Sequence, residues 1–274
     1  MKIVRLLTLC VLLLLPVIGS AESLVLARAP QLSPALISQI WSPFVKSLSE
    51  SSSVDISLKV YTDRAMFEKD IVSGKVDLYF GNPGYGVVGY LKHGYIPLIR
   101  SNRKLLEGII VVKKDSKIKQ VEQLNGKVIA FPSRTAFAAS LYLRSHIDSN
   151  FKINYQPVYA GSHDNTYRSV LVGKALGGGG VKRTLERESD ALKNQLRIIY
   201  VTPGIKSHPL MIHPRIPEAS RKAIQKAVLD MNGNEAGRKM LKKVKLQKPV
   251  AADYDADYKE IEKLSASMYR YLLE

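Results

Sequence analysis

The chain has 274 residues, a formal net charge of +17 and a single cysteine, Cys10. One thiol excludes an intramolecular disulfide, and the sequence contains no paired-cysteine, HExxH or GxSxG pattern. The five histidines do not cluster with carboxylates at metal-ligand spacing. We therefore predict a protein that is not an enzyme and needs no cofactor and no metal.

The N-terminal segment has the pattern of a secretory signal peptide over residues 1–21. Lys2 and Arg5 precede an apolar run at residues 6–18, and Gly-Ser-Ala at 19–21 supplies the small residues of a cleavage site. Cleavage would place the protein in the periplasm and remove Cys10. An uncleaved N-terminal anchor is the alternative. Without Lys2 and Arg5 the chain keeps 39 basic and 24 acidic residues, a net charge of +15.

This basic charge restricts the partners of an exported protein. Natural partners are a small anionic ligand, an anionic envelope surface or an acidic membrane protein. The basic residues are scattered along predicted helices and are not interleaved with aromatic residues, so we predict that the protein does not bind nucleic acid.

The first part of the chain after the signal peptide alternates predicted strands and helices. Strands are predicted at 23–29, 54–61, 76–80 and 96–99, and helices at 34–48, 62–73 and 87–93. This alternation indicates βαβ units and a largely parallel sheet. The third strand ends in the loop GNPGYG (81–86), at the edge where open α/β sheets bind ligands. Tyr85 in that loop is a candidate ligand contact, with a purely structural tyrosine as the alternative.

A second βα series follows a predicted strand at 107–113 and a polar, hinge-like stretch near 112–116. After a helical turn at 121–125, a strand is predicted at 128–131 and a helix from Ser133. Such a helix start presents free backbone N–H groups and a positive dipole end. The hydroxyls of Ser133 and Thr135 and the guanidinium of Arg134 lie at the same end, which predicts an anion site. The alternative is that Ser133 only caps the helix.

The remaining elements complete two lobes joined by two crossings. They are strands at 154–159, 197–201 and 209–213, helices at 165–172, 181–192, 217–231, 235–244 and 257–273, and a second hinge-like break near 201–205. The glycines at 177–180 lack the Gly-Lys-Ser/Thr ending of a nucleotide phosphate loop, so we interpret them as a strand end or close-approach segment. We predict an α/β fold in which each lobe is a mostly parallel sheet flanked by helices. The predicted limits are 22–112 and 203–274 for one lobe and 113–202 for the other.

Five segments together carry a family resemblance. They are WSPF (41–44), SGKVDLYFGNPGY (73–85), VVKKDSKIKQVEQLNGKVIAFPS (111–133), VYAGSHDNTYRSVLVGKA (158–175) and PLMIHPRIPEASRKAIQKAV (209–228). Over nearly all of the chain after the signal peptide, the sequence resembles the phosphate/phosphite/phosphonate-type periplasmic binding proteins of ABC transporters. That resemblance implies the type II periplasmic binding protein fold. It also implies a monomer that captures a small oxyanion between two lobes for an ABC permease or a membrane sensor.

The resemblance also implies ligand-binding residues. A Ser-Thr-Ser-Gly segment that grips the phosphonate in relatives corresponds here to Ser133-Arg134-Thr135-Ala136, and the anion-binding histidine matches His163. A tyrosine of the relatives is replaced by Arg64. We predict Ser133, Thr135 and His163 as the main contacts, with Arg64, Arg134 and Tyr85 as secondary ones.

The sequence departs from the family pattern at two positions that are occupied here by arginine, Arg64 and Arg134. Arg64 and Arg134 would favour a more fully charged anion through bidentate hydrogen bonds, unless both side chains point to solvent. Leu106 and Leu176 replace, respectively, a tyrosine and an acidic residue of the relatives. Two other functions stay open at this stage: a degenerate member of the fold that acts as a periplasmic sensor-input or envelope interaction protein, and an exported enzyme that uses His163.

Overall fold

The computed structural model describes residues 23–103 and 105–264. The predicted signal peptide and the part of the predicted last helix beyond residue 264 lie outside these residues. Within them the strands are β1 Leu24–Arg28, β2 Ile56–Val60, β3 Leu78–Phe80, β4 Ile96–Ser101, β5 Gly108–Lys113, β6 Val128–Phe131, β7 Gln156–Tyr159, β8 Gly177–Val181, β9 Leu196–Val201, β10 Pro209–Ile212 and β11 Pro249–Ala251.

Helices cover both sheets. They are α1 Pro34–Ser52, α2 Arg64–Val72, α3 Pro83–His93, α4 Tyr142–Asn150, α5 His163–Leu171, α6 Lys182–Leu185, α7 Asp190–Lys193, α8 Glu218–Asp230, α9 Glu235–Lys243 and α10 Tyr254–Asp257. Short helical turns at Val121–Leu124, Phe137–Leu141, Met231–Gly233 and Lys259–Leu264 complete the set. None of these helices is both long and apolar enough to cross a bilayer.

The strands form two separate sheets, which confirms the two-lobed α/β fold. The first sheet has the order β11-β4-β10-β3-β1-β2, and the second has the order β7-β6-β8-β5-β9. We call the residues built on the first sheet (23–101 and 209–264) the first lobe. The residues built on the second sheet (108–201) are the second lobe.

Both sheets are mixed, which corrects the expectation of mostly parallel sheets. The parallel pairs are β1–β2, β1–β3, β6–β7 and β6–β8, and all of them join strands connected through helices. Strands next to the crossings pair antiparallel: β10 with β3 and β4, and β5 with β8 and β9. The reason is topological: β5 and β10 each follow a crossing, so each enters its sheet at the end where its neighbouring strands finish and runs in the opposite direction.

Two segments carry the chain between the lobes. The predicted hinge near 112–116 is wrong, because residues 112 and 113 belong to β5, which is paired on both sides within the second sheet. The linking segments are instead 102–107 and 202–208. They are joined to each other by hydrogen bonds between Leu106 and Ile205, at 2.7 Å and 3.0 Å. The predicted lobe limits stay predictions, and we propose to place the boundaries in these two segments.

Several predicted elements differ from the structure. The GNPGYG segment is not an open loop, because Asn82 caps α3 and Pro83 is its first residue. The charged helix predicted at 181–192 is split into α6 and α7. The predicted helix at 257–273 is interrupted at Tyr258, whose φ of −134° is not helical. These differences arise where capping and tertiary packing outweigh the apolar periodicity used for the prediction.

The glycine-rich segment, predicted as a strand end or close-approach segment, is the buried strand β8. A methyl group at Gly179 would overlap the ring of Phe131 and the backbone carbonyl of Ala139, and one at Gly180 would overlap the hydroxyl of Tyr167. Gly179 therefore lets the helical segment after β6 pack directly on β8, and Gly180 does the same for α5. That close packing sets the position of the candidate site.

Candidate functional site

A cavity of about 480 Å³ lies between the two lobes. One wall comes from the second lobe and contains Pro132, Ser133, residues 135–139 and 161–163, Val181, Arg183 and Thr184. The opposite wall belongs to the first lobe and the linking segments and contains Gln31, Arg64, Asn82, Leu106, His208 and Lys245. A ligand in this cavity would therefore touch both lobes. The described residues contain no group of three or more His, Cys, Asp or Glu side chains that would hold a metal ion.

The second-lobe wall presents backbone amides and hydroxyls. The helix after β6 begins at Phe137 and not at Ser133, because the amides of Ser140 and Leu141 both donate to the carbonyl of Ala136, at 2.8 Å and 3.1 Å. This widened first turn continues into α4. The first amides of a helix have no acceptor within it, so the positive end of the helix faces the cavity at Ala138 and Ala139.

Ser133 and Thr135 lie beside that helix end, in the turn between β6 and the helix. Both line the cavity, and neither caps the helix, whose N-cap position is Ala136 without a side-chain hydrogen bond. Thr135 is buried, and Ser133 is partly buried. The capping alternative for Ser133 is therefore wrong, and its hydroxyl is available to a ligand.

His163 completes this wall from a second helix start. It is the first residue of α5, whose amide end is capped by the hydroxyl of Ser162, which accepts from the amide of Asn165 at 3.1 Å. The Nδ1 atom of His163 is buried and has no hydrogen-bond partner among the described residues. Burial also lowers the pKa of His163, so the ring is neutral near pH 7. A buried polar atom without a partner is a costly feature in a folded protein.

Arg64 brings a positive charge to the opposite wall. It is the first residue of α2 and lines the cavity. Its Nη1 atom donates to the hydroxyl of Tyr85 at 3.4 Å, and that hydroxyl donates to Glu68 Oε1 at 2.5 Å. Burial raises the pKa of Glu68, although Tyr85, Arg64 and Arg134 each act to lower it. The hydroxyl of Tyr85 thus links the guanidinium of Arg64 to the carboxyl group of Glu68.

The structure brings together four of the six predicted site residues. Ser133, Thr135, His163 and Arg64 share the cavity, whereas Tyr85 and Arg134 are not part of its wall. Tyr85 is only 2% exposed and packs in the core of the first lobe. Arg134 is half-buried in the turn after β6. As ligand contacts, all six stay predictions.

Sequence reasoning missed several residues of the cavity. Asn82 is 1% exposed, and its Oδ1 caps α3 by accepting from the amide of Tyr85 at 3.1 Å, which leaves its amide nitrogen for a ligand. Arg183, His208 and Lys245 also line the cavity. The Asn-Pro pair after β3 is a signal that could have identified Asn82. The other three come from distant segments that only the fold brings together.

Neighbouring cations shape the electrostatics of this wall. The pKa of His208 is lowered to about 3 by burial and by Arg28, Lys245 and Arg183. Arg28 is buried against Trp41 and Phe80, and burial lowers its pKa to about 10, so it remains charged. His208 is therefore a neutral group in a positively charged wall at neutral pH.

Two lobes joined by paired linking segments, with a polar cavity between them, define the class of two-lobed solute-binding proteins. Residues 26–258 match the family described as "ABC transporter, phosphonate, periplasmic substrate-binding protein". The chain belongs to this family of periplasmic components of phosphonate transporters. The family is a substrate-binding part of a transporter and not a family of enzymes. No curated protein matches the sequence.

Solved structures share the fold at low sequence identity. PhnD1 from Prochlorococcus marinus in complex with methylphosphonate has a TM-score of 0.71 and 16% identity, over 90% of this chain and 98% of that one. XAC2383 from Xanthomonas citri bound to ATP has a TM-score of 0.77 and 16% identity, over 92% and 98%. A binding protein component of a phosphonate transporter from Pseudomonas aeruginosa has a TM-score of 0.68 and 15% identity, over 91% and 87%. These likenesses show the fold alone.

Proposed function

We propose that the protein binds a phosphonate-type oxyanion in the cavity between its lobes and delivers it to an ABC permease. The observation that carries the proposal is the unpartnered, buried Nδ1 atom of His163, a residue that shares the cavity wall with the hydroxyl-bearing residues Ser133 and Thr135. A tetrahedral oxyanion offers several acceptor oxygens. It would receive hydrogen bonds from these groups and from the free amides at the helix start.

Arg64 would contribute from the other lobe. Its guanidinium carries a full positive charge, so an anion between the walls is attracted to both lobes at once. Binding across the cavity would favour closure of the lobes about the linking segments. Family membership and the complex of PhnD1 with methylphosphonate support this choice of ligand class. Export by a cleaved signal peptide at residues 1–21 and a monomeric state belong to the same proposal.

Isothermal titration calorimetry with methylphosphonate, phosphate, phosphite and sulfate tests the proposal. We expect at least one phosphorus oxyanion to bind, and His163→Leu to weaken binding by about a hundredfold, since it leaves buried ligand oxygens without a donor. His163→Gln is the matched variant: its amide has a similar reach, so it should retain more affinity than His163→Leu. A thermal melt of each variant checks folding.

Three results would count against the proposal. A folded protein that binds no phosphorus oxyanion would contradict it and favour the sensor-input or envelope interaction alternative. Equal affinities of His163→Leu and the unaltered protein would show that the anion binds elsewhere. Turnover of a phosphonate ester that is lost in His163→Leu would instead indicate an enzyme.

A further inference from the structure

A second, smaller pocket of about 180 Å³ adjoins the main cavity. We call it the basic pocket, because its wall contains Arg103, Arg183, Arg187 and Lys245. Arg183 and Lys245 line the main cavity as well, as does His208, which makes the two spaces neighbours with a shared wall. Arg103 and Arg187 line the basic pocket only.

The four cations of the basic pocket lack acidic partners within residues 23–103 and 105–264. None of them forms an ion pair with a described carboxylate, and the neutral side chain of Gln247 accepts from Arg103 Nη1 at 3.4 Å. Nearby cations are compensated: Lys182 pairs with Glu107 at 3.4 Å, and Arg100 pairs with Asp257 at 2.8 Å. The surroundings therefore contain carboxylates, but none compensates this pocket.

The cations are also close enough to repel one another. The pKa of Lys245 is lowered by burial and by Arg28, Arg183 and Arg187, and that of Arg183 by burial, Arg103 and Arg187. Behind them, Arg28 is 2% exposed, and its Nε atom has no hydrogen-bond partner among the described residues. Like charges gathered in a partly enclosed pocket repel one another and destabilise the empty protein. An anion bound among them would be attracted to each cation and would offset this repulsion.

We propose that the basic pocket binds a second anionic group of the same ligand, so that the natural ligand is a phosphonate carrying another acidic group. This inference rests on the proposed function, which places the first phosphonate group near His163. The planar guanidinium group of arginine can donate two parallel hydrogen bonds to either a carboxylate or a phosphate group.

Calorimetric titration of the protein purified from the periplasm of expressing cells tests the inference. The probes are methylphosphonate, with one acidic group, and phosphonoacetate and methylenediphosphonate, with two. We expect at least one doubly acidic probe to bind more than about tenfold tighter than methylphosphonate, as a charge-assisted contact would provide. Arg103→Gln and Arg187→Gln should each reduce this preference while changing the methylphosphonate affinity by less than about threefold.

Lys182→Gln provides the matched control. It removes the same charge next to Arg183, from a lysine that is paired with Glu107 and lies outside both pockets, so the preference should persist. If methylphosphonate binds and the doubly acidic probes bind no tighter, the inference is overturned and the proposed function stands. A preference that survives both Arg103→Gln and Arg187→Gln would overturn the assignment to the basic pocket. If no probe binds, the proposed function itself fails.

Discussion

The two ends of the space between the lobes are built from different chemistry. At one end, Ser133, Thr135 and the neutral ring of His163 offer directed, uncharged hydrogen-bonding groups next to the free amides of a helix. At the other end, Arg183 and Lys245 offer full positive charges with little hydrogen bonding to the protein. Directed donors select the shape of an oxyanion, whereas charges attract over a distance and are weakened by salt. Affinity and ligand choice can therefore be altered separately, at different ends of the cavity.

The largest effect is expected from a negative charge at the uncharged end. In Ser133→Asp, a carboxylate about 4 Å from the bound anion would repel it by about 4 kcal/mol at an effective dielectric constant of about 20, or roughly a thousandfold in affinity. Ser133→Asn is the neutral control of nearly the same size and should lose far less. Titration calorimetry with methylphosphonate measures both. Equal losses would show that the anion does not lie next to Ser133.

Removal of the charge on the opposite wall should have the next largest effect. Arg64→Gln removes a charge-assisted contact worth about 1.5–3 kcal/mol, so affinity should fall by roughly tenfold to a hundredfold. Lys69→Gln on the exposed side of the same helix is the control, with the same change in net charge. A loss of equal size in both variants would mean that Arg64 acts only through the general field of the protein.

The stability of the folded protein should depend on pH through His208, which lies in the charged wall of the cavity. The pKa of His208 is about 3 in the folded protein and about 6.5 in an unfolded chain, so the unfolded state takes up more protons as the pH falls. The contribution of neutral His208 to the free energy of unfolding is fully present above about pH 6.5. It decreases on acidification, by up to about 2 kcal/mol at about pH 5. Urea unfolding at both pH values should show a smaller decrease in His208→Gln. An unchanged decrease would place the effect on other histidines.

The smallest effect concerns repulsion within the basic pocket. Arg187→Gln should raise the melting temperature of the empty protein slightly, by the equivalent of a few tenths of a kcal/mol, because it relieves like-charge contacts. Added salt should remove the difference, since it screens exposed charges. Lys222→Gln removes a charge that is paired with Glu218 at 2.6 Å and should give no increase. A lower melting temperature for Arg187→Gln would contradict the repulsion.

The uncharged end of the cavity could largely be predicted from the sequence. Ser133 and Thr135 belong to one strand-turn-helix segment, and His163 begins the next helix, so local patterns and family resemblance locate them together. The helix start itself was misplaced by four residues. A first turn in which two amides share the carbonyl of Ala136 leaves no signature in the hydrophobic periodicity.

The charged end could not be predicted. Arg103, Arg183 and Lys245 belong to a linking segment, a short helix and a loop after α9, and nothing in their local sequences relates them. Tyr85 shows the opposite case. It lies in a segment that the sequence predicts as a loop, but that segment is the start of α3, which buries Tyr85 in the first lobe, where its hydroxyl accepts a hydrogen bond from Arg64.

The sequence by itself determined the alternation of strands and helices, the division into two lobes and the segment that forms the uncharged end. These features depend on periodicity and on turn chemistry, which act over a few residues. Only the tertiary structure decided the mixed direction of the sheets, the position of the first crossing and the group of cations around the basic pocket. They depend on which distant segments the two crossings bring together, and that proximity is a property of the folded chain.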